Sequence, residues 1–216
     1  PLVRAILPKR PCWLSLPRRA VRRGTRQPRC FLRGGVAALG PLQGRGEVLA
    51  DWEELDRRLS RSEVLDLLGE GQDMSGANLA GISLAGLDLS GVALRQVDLT
   101  DADLTQVNLS GAALQGAHLT RACLSLANLA AADLRQCRME RAIARETDLR
   151  HAMLLWVDLR SADLRLANLT EADLRGARLS NADFRLAVLS GANLSEALLW
   201  DTNFEKAILQ DVRFQG

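Results

Sequence analysis

Leucine recurs at every fifth position from Leu79 to Phe214 without a slip of register. This run holds 28 consecutive pentads, and 23 of them have Leu at the centre. The exceptions are Met139, Ala144, Phe184, Phe204 and Phe214. The residue two places before each centre is small, most often Ala, and the residue just before the centre is often Asp or Asn. A period of five fits neither an α-helix nor a flat strand, whose periods are about 3.6 and 2.

Glycine indicates where the chain turns. Eight glycines lie two residues after a pentad centre: Gly76, Gly81, Gly86, Gly91, Gly111, Gly116, Gly176 and Gly191. Each would cost a helix roughly 1 kcal/mol, whereas tight turns accept glycine readily. We therefore predict a short extended segment and a turn in every pentad. The central and the small side chains would point inward, and successive coils would pair through their backbones.

Several stretches match one repeat motif: Ala77-Asn78-Leu79, Ala102-Asp103-Leu104, Ala162-Asp163-Leu164-Arg165, Ala172-Asp173-Leu174-Arg175 and Ala192-Asn193-Leu194-Ser195. Over about two thirds of its length the chain thereby resembles the pentapeptide-repeat family, with its A(D/N)LXX motif. The resemblance implies an all-β solenoid, a right-handed quadrilateral β-helix with four pentads per coil and about seven coils. Each centre would stack on the centre twenty residues away. The predicted core contains Leu79, Leu99, Leu104, Leu164, Leu174, Phe184, Phe204 and Phe214.

The repeat degrades at one place. Ala144 occupies a centre whose stacking neighbours would be Leu124 and Leu164. Losing a Leu side chain from a packed core costs about 2–5 kcal/mol if the space stays empty. We predict that Ile143 turns inward there or that the local turn is distorted.

Composition explains how such a core can be filled and excludes several classes of protein. Aromatic residues make up 4% and Tyr is absent, so the interior must be aliphatic. No uncharged apolar stretch approaches about 18 residues, which excludes a transmembrane helix. Four Cys without a CxxC pair exclude a disulfide framework and a zinc ribbon. We predict no metal and no cofactor.

The first 46 residues differ from the repeats. They hold all six prolines and eleven Arg or Lys, with no Asp or Glu. The basic residues are densest at Arg18, Arg19, Arg22 and Arg23. The segment has no hydrophobic period with which to build a core. It is similar to an organelle transit peptide, and the alternatives are an arm that binds a partner protein or one that binds nucleic acid or an anionic surface. No apolar stretch follows that would suit a secretory signal.

Residues 47–70 are acidic and have helical spacing. Ser60 and Glu63 form a capping box, which opens a short helix that Gly69 ends. We predict an N-terminal cap that covers the first coil of the solenoid, residues 71–216; a partner-binding amphipathic helix is the alternative. No comparable cap follows the last coil, and whether the protein forms a homodimer stays open.

The sequence offers little material for catalysis. Asp and Asn before the pentad centres suit turns, where they bond to nearby backbone. His118 and Cys123 fall on adjacent pentads, and His151 is remote, so no Cys–His nucleophile pair is evident. Walker-type, GxSxG and HExxH motifs are absent. We predict a protein that is not an enzyme and has no small-molecule substrate.

Candidate partner contacts remain on the outer surface. Met153, Leu155 and Trp156 would lie on one face with Arg135 and Arg175, a composition typical of interfaces. A neighbouring face would carry Leu126, Leu166 and Leu186 in one column. Further candidates are Leu198 and Trp200 near the C-terminal end of the sequence, and the four clustered arginines Arg18, Arg19, Arg22 and Arg23.

Charge separates the possible functions. Residues 71–216 carry a net charge of −4 and residues 1–70 a net charge of +6. Some members of the family mimic DNA and bind gyrase, but a mimic needs a continuous anionic surface, which the arginines of residues 135–185 interrupt. Nucleic-acid binding through the basic segment is a second alternative. We favour a scaffold that docks on a larger assembly. The resemblance suggests an accessory or assembly subunit of a photosynthetic complex in a plastid, at a thylakoid or in a cyanobacterial cytoplasm. Peripheral association with a membrane is compatible with this role.

Overall fold

The computed structural model describes residues 57–215. The predicted basic segment, with Arg18, Arg19, Arg22 and Arg23, lies outside the described residues, as does most of the segment that precedes the short helix. Within the described range the backbone pairs at single residues in parallel register, and each partner lies twenty residues further along the chain. One such ladder runs through Asn78, Asp98, His118, Arg138, Asp158, Arg178 and Leu198. Four pentads therefore complete each coil.

Every pentad ends in a tight turn at a corner of the coil. The amide of Ala132, for example, donates to the carbonyl of Leu129 at 3.0 Å, and Ala131 between them has φ 56°. All 28 equivalent positions from 76 to 211 have positive φ, and only eight of them are glycine. None of the other twenty is Val, Ile or Thr, because a β-branched side chain is a severe outlier in this region. The corner conformation thus restricts the sequence even where glycine is missing.

The core consists of the pentad centres and the small residues two places before them. Leu79, Leu99, Leu104, Leu164, Leu174 and Phe184 are buried as predicted. Phe204 is half-buried, and its ring stacks on that of Phe184 at a centroid distance of 5.3 Å. Phe214 differs from its prediction as a core residue: it is 50% exposed, because no later coil among the described residues covers it.

Within residues 57–215, one helix, α1 (Arg61–Gly69), precedes the repeats. The Ser60 amide donates to Oε2 of Glu63 at 2.7 Å, and the Glu63 amide donates to Oγ of Ser60 at 3.3 Å, which forms the predicted capping box. These bonds to Ser60 lower the pKa of Glu63 to about 2. Val64 is buried in the core cluster, and Leu67 and Leu68 pack against it. Leu59 belongs to the stretch 47–70 that was predicted to have helical spacing, but it lies outside α1, and its amide donates to the carbonyl of Asn78 at 2.9 Å.

The irregular pentad at Ala144 keeps its register. Ile143 stays on the outer ladder, paired with Cys123 and Asp163, so the predicted inward turn of this side chain is wrong. Ala144 itself is fully buried. The turn that follows it lacks the backbone bond from residue 147 to residue 144 that closes the neighbouring turns. Instead, the Thr147 hydroxyl donates to the carbonyl of Leu124 at 2.8 Å. The disturbance is therefore confined to one open turn.

Candidate interaction surface

Pairs of Asp and Arg cover much of the outside of the coils. In each pair an Asp just before a pentad centre binds the Arg just after that centre. Arg150 donates from Nη2 to Oδ2 of Asp148 at 2.7 Å and from its backbone amide to Oδ1 at 3.1 Å. Such charge-assisted bonds fix the guanidinium against its own pentad. The six pairs are Asp133–Arg135, Asp148–Arg150, Asp158–Arg160, Asp163–Arg165, Asp173–Arg175 and Asp183–Arg185.

Sequence reasoning missed these pairs, although a signal was present. The triplet Asp-Leu-Arg or Asp-Phe-Arg recurs at all six sites. The hydrogen bonds from Arg150, Arg175 and Arg185 are the main cause that lowers the pKa of Asp148, Asp173 and Asp183 respectively. The Asp–Arg pairs therefore order the turns, and each carboxylate largely compensates the positive charge of its own arginine.

The pairs predict an acid-sensitive stability. A carboxylate whose pKa is lower in the folded than in the unfolded chain stabilises the fold above its unfolded pKa, near 4, and this contribution is lost as the pH falls through the folded pKa. We expect the urea midpoint of unfolding to fall between about pH 5 and about pH 3. The combined variant Asp148→Asn, Asp173→Asn, Asp183→Asn should have a flatter profile. Asp201→Asn is the control, since Asp201 forms no ion pair with a described residue; equal slopes in all three proteins would contradict this account.

The arginines predicted to flank Trp156 belong to these pairs. Arg135 is bound by Asp133, which also accepts from Gln115, and Arg175 is bound by Asp173. Beside them Met153 is 39% exposed, Leu155 is half-buried and Trp156 is 58% exposed. The structure therefore places these five predicted contacts around one corner, but the charges of both arginines are already compensated.

Trp156 lies against the backbone of the next coil. It occupies a corner position with φ 58°, and the equivalent position twenty residues later is Gly176, which is buried. A Cβ atom at Gly176 would lie 2.5 Å from Cε3 and Cζ3 of the Trp156 indole. The ring therefore covers the glycine directly, and the missing side chain is what permits this contact. The sequence signal was a Gly one coil beyond an exposed Trp.

The structure brings two separately predicted groups onto one face. Arg138, Arg178 and Leu198 belong to the same ladder. Trp156 lies at the corner where the chain enters this face, and Trp200 at the corner where it leaves, with exposures of 58% and 74%. We call this surface the Trp–Arg face; it comprises Arg138, Arg141, Trp156, Arg178, Leu198 and Trp200.

The column of exposed leucines lies elsewhere. Trp156 and the equivalent corner positions 136, 176 and 196 form one column. Leu126, Leu166 and Leu186 occupy turns that come two pentads before or after the turns of that column. Two pentads are half of a twenty-residue coil, so the two columns lie on opposite corners. The prediction that the leucines occupy a face neighbouring Trp156 is wrong. One partner surface of ordinary flatness cannot cover both columns, so they are separate candidates.

Other chemistry is scarce on the described surface. Among residues 57–215 no group of three His, Cys, Asp or Glu is placed to hold a metal ion. In the same range no helix has the length and hydrophobicity required to cross a membrane. A shallow depression of about 520 Å³ is lined by Glu146, Asp148, Arg150 and Leu166, among others. Cys137 is buried, its thiol donates to the carbonyl of Leu114, and burial raises its pKa to about 12.

Comparison with known proteins identifies the family. The family model for pentapeptide repeats matches eight copies in residues 70–101, 122–154, 154–191, 167–198 and 187–216. The chain belongs to the pentapeptide-repeat family. The predicted right-handed quadrilateral β-helix is the fold of this family, and no enzyme family is indicated. A search of curated proteins finds no significant match.

Several solved structures of pentapeptide-repeat proteins are similar to the chain. HetL, involved in heterocyst differentiation regulation in the cyanobacterium Nostoc, is 26% identical over 72% of this chain and 95% of its own, with a TM-score of 0.36. QnrB1, a plasmid-mediated fluoroquinolone resistance protein, is 19% identical over 68% and 76%, with a TM-score of 0.46. A protein from the Arabidopsis thaliana thylakoid lumen is 27% identical over 61% and 70%, with a TM-score of 0.20.

Proposed function

We propose that this pentapeptide-repeat protein is a non-catalytic scaffold that docks on a larger protein assembly. The observation that carries the proposal is the Trp–Arg face, where Leu198 is exposed on a regular backbone ladder and Trp156 and Trp200 are exposed at the two bordering corners. Trp and Arg are the residues most enriched among those that dominate binding energy at interfaces. A flat face held by main-chain hydrogen bonds suits this use, because little conformational freedom has to be lost on binding.

The proposal includes a rigid support. With four pentads per coil, the 28 pentads would form seven coils, about 33 Å long at the usual spacing of paired backbones. Helix α1 would act as the cap of this stack, since Val64 is buried in the same core as the first Leu residues. The register of twenty residues along every ladder supports a rod without a hinge.

Charge argues against mimicry of DNA. Residues 121–215 hold 13 acidic and 13 basic side chains, and the Asp–Arg pairs mix the two signs between residues 133 and 185. A gyrase-binding mimic would instead present a continuous row of anions, because duplex DNA carries one charge per about 1.7 Å. An accessory role in a photosynthetic complex stays a prediction from the family resemblance and composition, and nucleic-acid binding by residues 1–46 stays a prediction from composition.

The proposal predicts that the chain is part of a complex in its own cells. We expect an epitope-tagged full-length chain to elute from size-exclusion chromatography of a native extract well ahead of the purified protein. Trp156→Ala combined with Trp200→Ala should move it toward the elution volume of the purified chain, because the variant lacks the proposed contacts with the assembly. Both side chains are exposed, so the fold should not depend on them. Leu166→Ala with Leu186→Ala is the matched control on the opposite corner. Elution of the wild type at the position of the purified chain would contradict a docking function.

A further inference from the structure

The arginines of the rod fall into two classes. Between Arg121 and Arg185 there are eleven, and nine of them form an ion pair. Arg138 and Arg141 are the two without an ion pair to any residue in the described range. Both are exposed, and they are separated by two residues of one pentad repeat. The uncompensated positive charge in this stretch is therefore concentrated at one place.

That place borders one of the two exposed tryptophans of the Trp–Arg face, Trp156. Arg138 precedes Asp158 on its ladder by one coil, and Trp156 lies two residues before Asp158, at the adjoining corner. One coil further on, Arg178 follows Gly176, over which the indole of Trp156 lies. Leu198 comes next on the ladder, and Trp200 follows at the far corner. Trp156 thus lies within one coil of the two free guanidinium groups, whereas Leu198 and Trp200 lie three coils further on, about 15 Å along the axis.

We infer that the Trp–Arg face binds an acidic segment of a partner protein that carries apolar anchor residues. This inference rests on the proposed docking function and adds the chemistry of the partner. Carboxylates of the segment would pair with Arg138 and Arg141, and its apolar side chains would cover Trp156, Leu198 and Trp200. Arg178 contributes less charge, since it lies 3.8 Å from Asp158, a carboxylate that also binds Arg160.

A nucleic acid suits this surface less well. Stacking on Trp would be available to bases, but a strand also needs a row of cations along its phosphates. Arg160, at the corner that follows Asp158, is bound by both Asp158 and Glu140. Two free cations fit a short acidic motif better than a continuous strand.

A peptide selection tests the chemistry without knowledge of the partner. The full-length chain is presented to a displayed library of random 12-residue peptides, and enriched peptides are measured by fluorescence anisotropy. We expect enrichment of Asp and Glu together with Leu, Phe or Trp. Trp156→Ala should weaken binding about tenfold or more, and the double variant Arg138→Glu, Arg141→Glu should bind basic peptides instead. Leu166→Ala with Leu186→Ala should leave the affinity unchanged.

A second variant separates the position of the indole from its presence. Gly176→Ala keeps Trp156 but puts a methyl group where the ring now lies, so we expect weaker peptide binding with the tryptophan retained. Enriched peptides that are neutral or basic, no enriched peptide at all, or binding of a 20-nucleotide single-stranded DNA that depends on Arg138 and Arg141 would each overturn the inference. If the peptides fail while the complex in native extracts still depends on Trp156 and Trp200, the docking function stands and only the acidic partner is wrong.

Discussion

Leu164→Ala should lower the free energy of unfolding by about 4 kcal/mol. Leu164 is fully buried at a pentad centre, and its neighbours twenty residues away are Ala144 and Phe184. Because Ala144 is already small, a second Ala beside it would leave a larger unfilled space than at most centres. Core cavities cost energy in proportion to the volume that stays empty. Equilibrium unfolding in urea, followed by circular dichroism, measures the change.

The matched control lies in the same repeat. Leu166→Ala removes the same atoms from a side chain that is 51% exposed at the corner, and it should change stability by no more than about 0.5 kcal/mol. The two variants remove the same side-chain atoms, in one case from the interior and in the other from an exposed corner. Similar losses for Leu164 and Leu166 would contradict the assignment of pentad centres to the interior.

Ala131→Pro should cost about 3 kcal/mol or more. Ala131 occupies a corner with φ 56°, and its amide donates to the carbonyl of Arg150 at 2.8 Å. Proline fixes φ near −65° and has no amide proton, so it can satisfy neither requirement. Ala131→Gly should instead stabilise the fold by about 0.5–1 kcal/mol, because an L-residue pays for the left-handed conformation and glycine does not.

The preceding residue supplies the control for this prediction. Ala130 is the first central residue of the same turn and is not among the residues with positive φ. Ala130→Gly should therefore destabilise by about 0.5–1 kcal/mol, through the greater freedom of glycine in the unfolded chain. Opposite signs at two adjacent alanines are expected from the corner geometry. The same sign at both positions would refute the left-handed corners.

Much of the fold could be predicted from the sequence because it is periodic. The spacing of Leu79, Leu99 and Leu164 indicated which side chains point inward. A shift of the pentad register by one residue would have placed all three outside the core. The end effects were harder, as Phe214 shows: a centre is buried only when a coil follows it. The pentad at Ala144 was predicted to be irregular, but whether Ile143 or the turn would move depended on where the Thr147 hydroxyl found an acceptor.

The candidate site was predicted less well, because its residues come together through the exact angle of each turn. The sequence pointed to Trp156 and Trp200 singly, and the ladder places both beside Arg138 and Arg178. It also gave Arg135 and Arg175 as the charged neighbours, whereas Asp133 and Asp173 already bind them. Which arginines lack a partner depends on hydrogen bonds between pentads, and spacing alone does not reveal those.

The central claim is that the protein docks through the Trp–Arg face. The most direct measurement is quantitative mass spectrometry of the proteins captured from native extract by three full-length baits: the wild type, Trp156→Ala with Trp200→Ala, and Leu166→Ala with Leu186→Ala. We predict at least one partner whose recovery falls about tenfold or more with the tryptophan variant and is unchanged with the leucine variant. Equal recovery of every captured protein by all three baits would contradict the claim.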